Sequence, residues 1–140
     1  MSAGLPGGAR EMTVDTDRAP TPAGDDVVLV AVGNAPDAQA AERIARALVD
    51  ERLAACVNLL APCRSVYRWE GAVESAEEVP LLIKTTARRW EALQARYAQL
   101  HPYQVPELLA WPAARALPAY AAWVRESVHE ARADPPGPSR

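Results

Sequence analysis

Ser65-Val66-Tyr67-Arg68-Trp69-Glu70-Gly71-Ala72 is the stretch whose reading decides the fold. In an extended chain Ser65, Tyr67 and Trp69 share one face, and Arg64, Val66 and Arg68 share the other. Glu70-Gly71 reads as the two-residue turn of a hairpin. The return arm runs from Ala72 to Thr86, with Val79-Pro80-Leu81-Leu82-Ile83 as its apolar heart. Arms of about 15 residues are long against a typical strand of about 5 or 6. A small domain cannot cover such a ribbon alone. The excess edge calls for a partner chain, or for bulges and bends that shield it.

Working outward, Leu53 to Leu60 is an apolar strand that Pro62 interrupts at a bulge or an edge. Val27-Val28-Leu29-Val30-Ala31-Val32 is a β-branched run that reads as a strand buried on both faces. Gly33-Asn34-Ala35-Pro36-Asp37 reads as a turn into a helix, with Asn34 or Asp37 as its cap. From Asp37 to Glu51, Ala40, Ala41, Ile44, Ala47 and Leu48 recur at helical spacing. Beyond the hairpin, Thr86 caps a second helix striped by Trp90, Leu93, Tyr97 and Leu100. Glu107 to Trp111 is a last strand. A third helix starts near Pro118, with Tyr120, Trp123, Val124 and Val128 as its apolar side. Trp123 is read as core with Trp90, Leu93 and Tyr97.

The order βαββαβ plus a C-terminal helix predicts an α+β, ferredoxin-like sandwich. Two helices cover one sheet face. The other face is left to an oligomer. Residues 27–128 form this domain. Residues 1–26 and 129–140, rich in Gly, Pro and small polar residues, read as disordered tails.

The chain of 140 residues carries 15 basic and 18 acidic groups, a net charge of −3, which speaks against a nucleic-acid partner. No apolar run is long enough for a membrane span, and the N-terminus does not read as a secretory signal. Cys56 and Cys63 read as reduced thiols of a cytoplasmic protein. No Ser/His/Asp grouping, Gly-rich phosphate loop or carboxylate dyad is present, so no enzyme is expected.

The chemistry gathers at His101-Pro102-Tyr103-Gln104-Val105-Pro106-Glu107. Pro102 ends the helix and pushes His101 into an extended conformation. Pro106 delays the last strand. This stiff connector holds His101 and Glu107 in place. They are candidate metal ligands, with Cys56 as a soft ligand for Cu(I). The alternative for His101 is an oriented structural histidine. Tyr67, Trp69 and Tyr103, with Lys84, could line a cleft for a small anionic ligand. Subunit packing is the other reading of those aromatics. Glu107 is the expected partner of Lys84.

Leu53-Ala54-Ala55-Cys56-Val57-Asn58, Ser65 to Gly71, Leu82-Ile83-Lys84-Thr85 and His101 to Glu107 occur in this order. Together they resemble the CutA divalent-cation tolerance proteins over residues 27–128. The resemblance implies a tight homotrimer whose long hairpins pair across subunits. It also implies a role in the response to divalent cations, copper above all, with no obligatory cofactor. In that family a copper site uses a cysteine at the end of the first strand and two adjacent histidines before Pro-Tyr. Here those positions read Gly33 and Leu100-His101. The fold also resembles the PII signalling proteins. They imply the alternative of a trimeric signalling or scaffold protein with a small ligand or a partner protein at its inter-subunit clefts.

Overall fold

The computed structural model describes residues 24–129, so residues 1–23 and 130–140 of the tails expected at 1–26 and 129–140 lie outside the described residues. Gly24–Asp26, expected in the N-terminal tail, instead forms a short 3-10 turn. The backbone carbonyl of Asp26 accepts from Arg125 Nε at 2.9 Å.

The elements are β1 (Val28–Ala35), α1 (Ala38–Asp50), β2 (Cys56–Leu59), β3 (Cys63–Trp69), β4 (Ala72–Thr86), α2 (Trp90–Leu100), β5 (Leu108–Pro112) and α3 (Pro118–Ser127). All pairings are antiparallel, in the order β2-β4-β1-β5, with β3 extending the β2 side of β4. With β2 and β3 counted as one interrupted strand, this is the ferredoxin-like order. The interruption spans residues 60–62 and includes Pro62, which has no N–H for the ladder. Only β4 has the length expected of both arms, 15 residues. Glu70 and Gly71 both take positive φ, 50° and 84°, the backbone of a turn that matches strand twist.

The helices α1 and α2 cover one sheet face. Ala31 and Ala35 of β1, Leu81 and Ile83 of β4, Ile44 and Leu48 of α1, and Leu93 and Tyr97 of α2 form that core. The opposite face carries Val30, Val32, Leu82, Leu109 and Trp111, aligned by the registers Val30↔Lys84, Val30↔Trp111, Val32↔Leu82 and Val32↔Leu109. Only α3 touches it, packing Ala121, Val124 and Val128 on Val28 and Ala55. β1 is therefore buried on one face, while Val30 and Val32 on the other remain half-buried. Trp123 is not core: it is 40% exposed and stacks on Tyr120 at 5.6 Å between ring centroids. The buried line of α3 is narrow, running through residues 121, 124 and 128, and leaves both rings beside the open face.

β1 runs on through Gly33-Asn34-Ala35, which read as turn in the sequence. Its backbone is held on both sides, with Gly33 opposite Leu81 and Leu108. The cap of α1 is Asp37, whose carboxylate accepts from the Ala40 N–H at 2.8 Å. Thr86 makes no side-chain cap bond, and a 3-10 turn, Ala87–Arg89, leads into α2.

Candidate functional site

The C-terminal end of β1 and the connector that follows α2 meet at Asn34. His101 leaves α2 with extended backbone, φ −82° and ψ 137°, as Pro102 requires. That geometry turns its imidazole onto β1. Nε2 lies 2.6 Å from the Asn34 carbonyl oxygen, and Nδ1 accepts from the Tyr103 N–H at 3.1 Å. The second bond requires a lone pair on Nδ1, so the proton is on Nε2, which donates to Asn34. The ring is buried between Tyr97 and Tyr103, with centroids 5.2 and 4.8 Å away. Neither nitrogen keeps a lone pair for a metal in this arrangement.

Asn34 turns its side chain the other way, and Nδ2 donates to Glu107 Oε1 at 3.0 Å. Tyr97 Oη donates to the Glu107 carbonyl at 2.9 Å. Burial, with a smaller contribution from the Glu107 charge, pushes the Tyr97 hydroxyl far above the usual phenol range. Gly33 makes room for this contact. A Cβ there would overlap Tyr97 Oη and lie 2.9 Å from its Cζ and 3.0 Å from the Glu107 carbonyl oxygen. The glycine serves close approach rather than a turn.

Tyr103 reaches β4, where Oη donates to Glu78 Oε2 at 2.9 Å. Desolvation first, then the Glu78 carboxylate, raise the Tyr103 pKa to about 12. Between the hairpin and the connector lies a groove of about 850 Å³. Tyr67, Trp69 and Tyr103 of the cleft reading line it together, and Glu107, read in the sequence as a metal ligand, joins them. Lys84 does not join them. It sits opposite Val30 on β4 and donates to Asn58 Oδ1, not to Glu107. Glu107 lies at the other end of β1, next to the Gly33↔Leu108 pair.

Cys56 lies opposite Lys84 on the helix-free face, with Sγ 3.9 Å from Asn58 Oδ1. Both cysteines are free thiols. His101 and Glu107 thus meet through Asn34, while Cys56 stands apart. Among the described residues no three His, Cys, Asp or Glu side chains converge as a metal cage. Asn34, Glu78 and Tyr97 were not singled out as site residues by the sequence reading. Glu78 had a signal: a carboxylate directly before the apolar heart of a strand, which folds to 8% exposure.

The fold and these motifs can now be compared with known proteins. The family model described as CutA1 divalent ion tolerance protein matches residues 28–127. The chain belongs to this family. It is 46% identical over 103 residues to the divalent-cation tolerance protein CutA of Thermus thermophilus, covering 74% of this chain and 97% of the relative. The CutA of Pectobacterium atrosepticum is 42% identical over 104 residues, covering 74% and 93%. Among solved structures, CutA from Xylella fastidiosa superposes with a TM-score of 0.71 at 42% identity, covering 72% of this chain and 97% of that one. CutA1 from Oryza sativa gives 0.73 at 34% identity, covering 76% and 98%.

The family name implies a divalent cation, and the donors at the connector do not fit one within a single chain. His101 is bonded through both nitrogens, and Glu107 shares one oxygen with Asn34. Gly33 supplies no side chain, because Tyr97 fills its space. Among the described residues no helix is long and apolar enough to cross a membrane.

Proposed function

We propose that the protein works as a homotrimer that binds divalent cations, copper foremost, and that it binds rather than turns over its ligand. The observation that carries the reading is the helix-free sheet face. Leu109 and Trp111 stand about half exposed there beside Val30, Val32 and Leu82, with Tyr120 and Trp123 at its border. A contiguous apolar surface of this kind favours burial against further copies. The long β3–β4 hairpin supplies free edge in the same sense.

Metal donors are then pooled between subunits. Cys56 offers a half-buried thiol and Glu107 an exposed carboxylate. His101 joins them only by giving up a backbone bond. The two free thiols support a reducing, cytoplasmic setting.

Sedimentation equilibrium and competition titrations with Cu(I) and Cu(II) test this reading on the full chain. The expected result is a mass of three chains, and Cu(I) binding that weakens in Cys56→Ser. A monomer, or copper binding indifferent to Cys56 and Glu107 substitutions, overturns it.

A second reading is favoured by one observation, the groove beside Tyr103. Its volume lies in the range of small-molecule pockets. On that reading the protein is a PII-like signalling or scaffold trimer that takes a small ligand there.

A further inference from the structure

We infer that the groove between the hairpin and the connector is a site for an organic ammonium ion, one positive charge carried on a flat or apolar body. The inference rests on the small-ligand reading of the groove and adds the sign of the charge and the shape of the ligand.

The lining residues set the sign. Glu74, Glu78 and Glu107 all face the groove, and Arg68 is the only lysine or arginine in its wall. None of the three carboxylates forms an ion pair with a described residue. Glu78 is the most telling. It is 8% exposed, and its Oε2 takes the Tyr103 hydroxyl. Its Oε1 has no hydrogen-bond partner. No buried side-chain oxygen is left unbonded in the described residues, so Oε1 keeps contact with solvent, and Glu78 lines the groove. A largely desolvated carboxylate with one free oxygen is a strong acceptor for a charged N–H donor.

The walls set the shape. Tyr67 and Trp69 stand on one face of β3, about two-fifths exposed, and Tyr103 closes the opposite side. Aromatic faces attract an alkylated or aryl ammonium through the ring quadrupole. A bare metal ion lacks this match, because the groove holds no converging set of three ligands. An anion meets three carboxylates against the single guanidinium of Arg68. With Lys84 in this wall, the cleft read from the sequence would suit a small anionic ligand. With Lys84 bonded to Asn58 elsewhere on the sheet, the preference reverses.

The test uses two probes of one shape, phenethylammonium and phenylacetate, titrated by calorimetry into the full chain with chelator present. Phenethylammonium is expected to bind at least tenfold more tightly than phenylacetate. Glu78→Gln keeps an acceptor for Tyr103 and so preserves the wall. It is expected to weaken phenethylammonium by about tenfold, the cost of one charged hydrogen bond. Equal or tighter binding of phenylacetate overturns the charge assignment while leaving the groove a small-ligand site. Ammonium binding unchanged in Glu78→Gln overturns the inference. Failure of both probes at millimolar concentration overturns the small-ligand reading with it.

Discussion

His101→Ala separates a metal-binding histidine from a structural one. The substitution removes the acceptor of the Tyr103 N–H and the donor to the Asn34 carbonyl. Each bond is worth about 1 kcal/mol net, and the buried partners left behind raise that cost. The ring also leaves its place between Tyr97 and Tyr103, where aromatic contacts contribute about 0.5–1.5 kcal/mol beyond area. The expected loss is about 3–4 kcal/mol. His101→Asn keeps an oxygen near the position of Nδ1, can accept from the same N–H, and recovers about 1 kcal/mol of it. The assay is urea unfolding at one fixed chain concentration, since association adds to apparent stability. Copper titration of the folded variants runs beside it. Affinity is expected to stay within about threefold of wild type, a shift of under 1 kcal/mol. A His101→Ala protein of unchanged stability whose copper affinity falls tenfold or more would refute the reasoning, because the imidazole would then be free to bind metal.

Gly33→Ala is expected to cost about 1–3 kcal/mol by overpacking against Tyr97 and the Glu107 carbonyl. In a Tyr97→Phe background the cost should shrink, and additive effects in the double-mutant cycle would count against the contact. The double substitution Leu109→Asp and Trp111→Asp places charge on the helix-free face and should shift sedimentation from trimer to monomer; an unchanged mass removes that face from the interface. Tyr103 is expected to ionise near pH 12, followed as tyrosinate absorbance near 295 nm and assigned with Tyr103→Phe. Its folded pKa lies above the ordinary phenol value of 10.0. Its contribution to stability is therefore complete below pH 10 and is lost as the pH rises towards 12. A flat difference between wild type and Tyr103→Phe across that window would contradict the Tyr103–Glu78 bond.

The fold was legible because periodicity and punctuation agreed. The alternation through Tyr67 and Trp69, the Glu70-Gly71 turn and the stripe Trp90, Leu93, Tyr97 and Leu100 all returned as read. The misreadings came where tertiary pairing overrode a local signal. Gly33-Asn34 has turn composition, yet β4 and β5 both pair with Gly33 and β4 pairs with Asn34, which keeps them in the ladder. Trp123 sits at helical spacing, but spacing reports a stripe and not its width. The aromatic wall was also legible, since Tyr67, Trp69 and Tyr103 do share a groove. Its charge was not. That depends on where along β4 each residue falls once the register is set: Lys84 lies opposite Val30 and Cys56, away from the groove, and Glu78 lies opposite Cys63, beside it.

Two prolines and a histidine in seven residues invite a catalytic or metal reading, yet in this chain they perform a positioning task. Pro102 extends the backbone, the extended backbone turns His101 onto Asn34, and the bond to the Tyr103 N–H fixes where the next side chain points. Tyr103 then reaches Glu78, and Glu107 is held by Asn34 on the other side. Each contact depends on the one before it, and all end at the same groove. The histidine thus acts on the groove wall through Tyr103 rather than on a ligand of its own. On the proposed reading of the groove, ligand contacts fall to the carboxylates and aromatic rings that the connector positions. A substitution at His101 should then change ligand binding only as far as it displaces Tyr103.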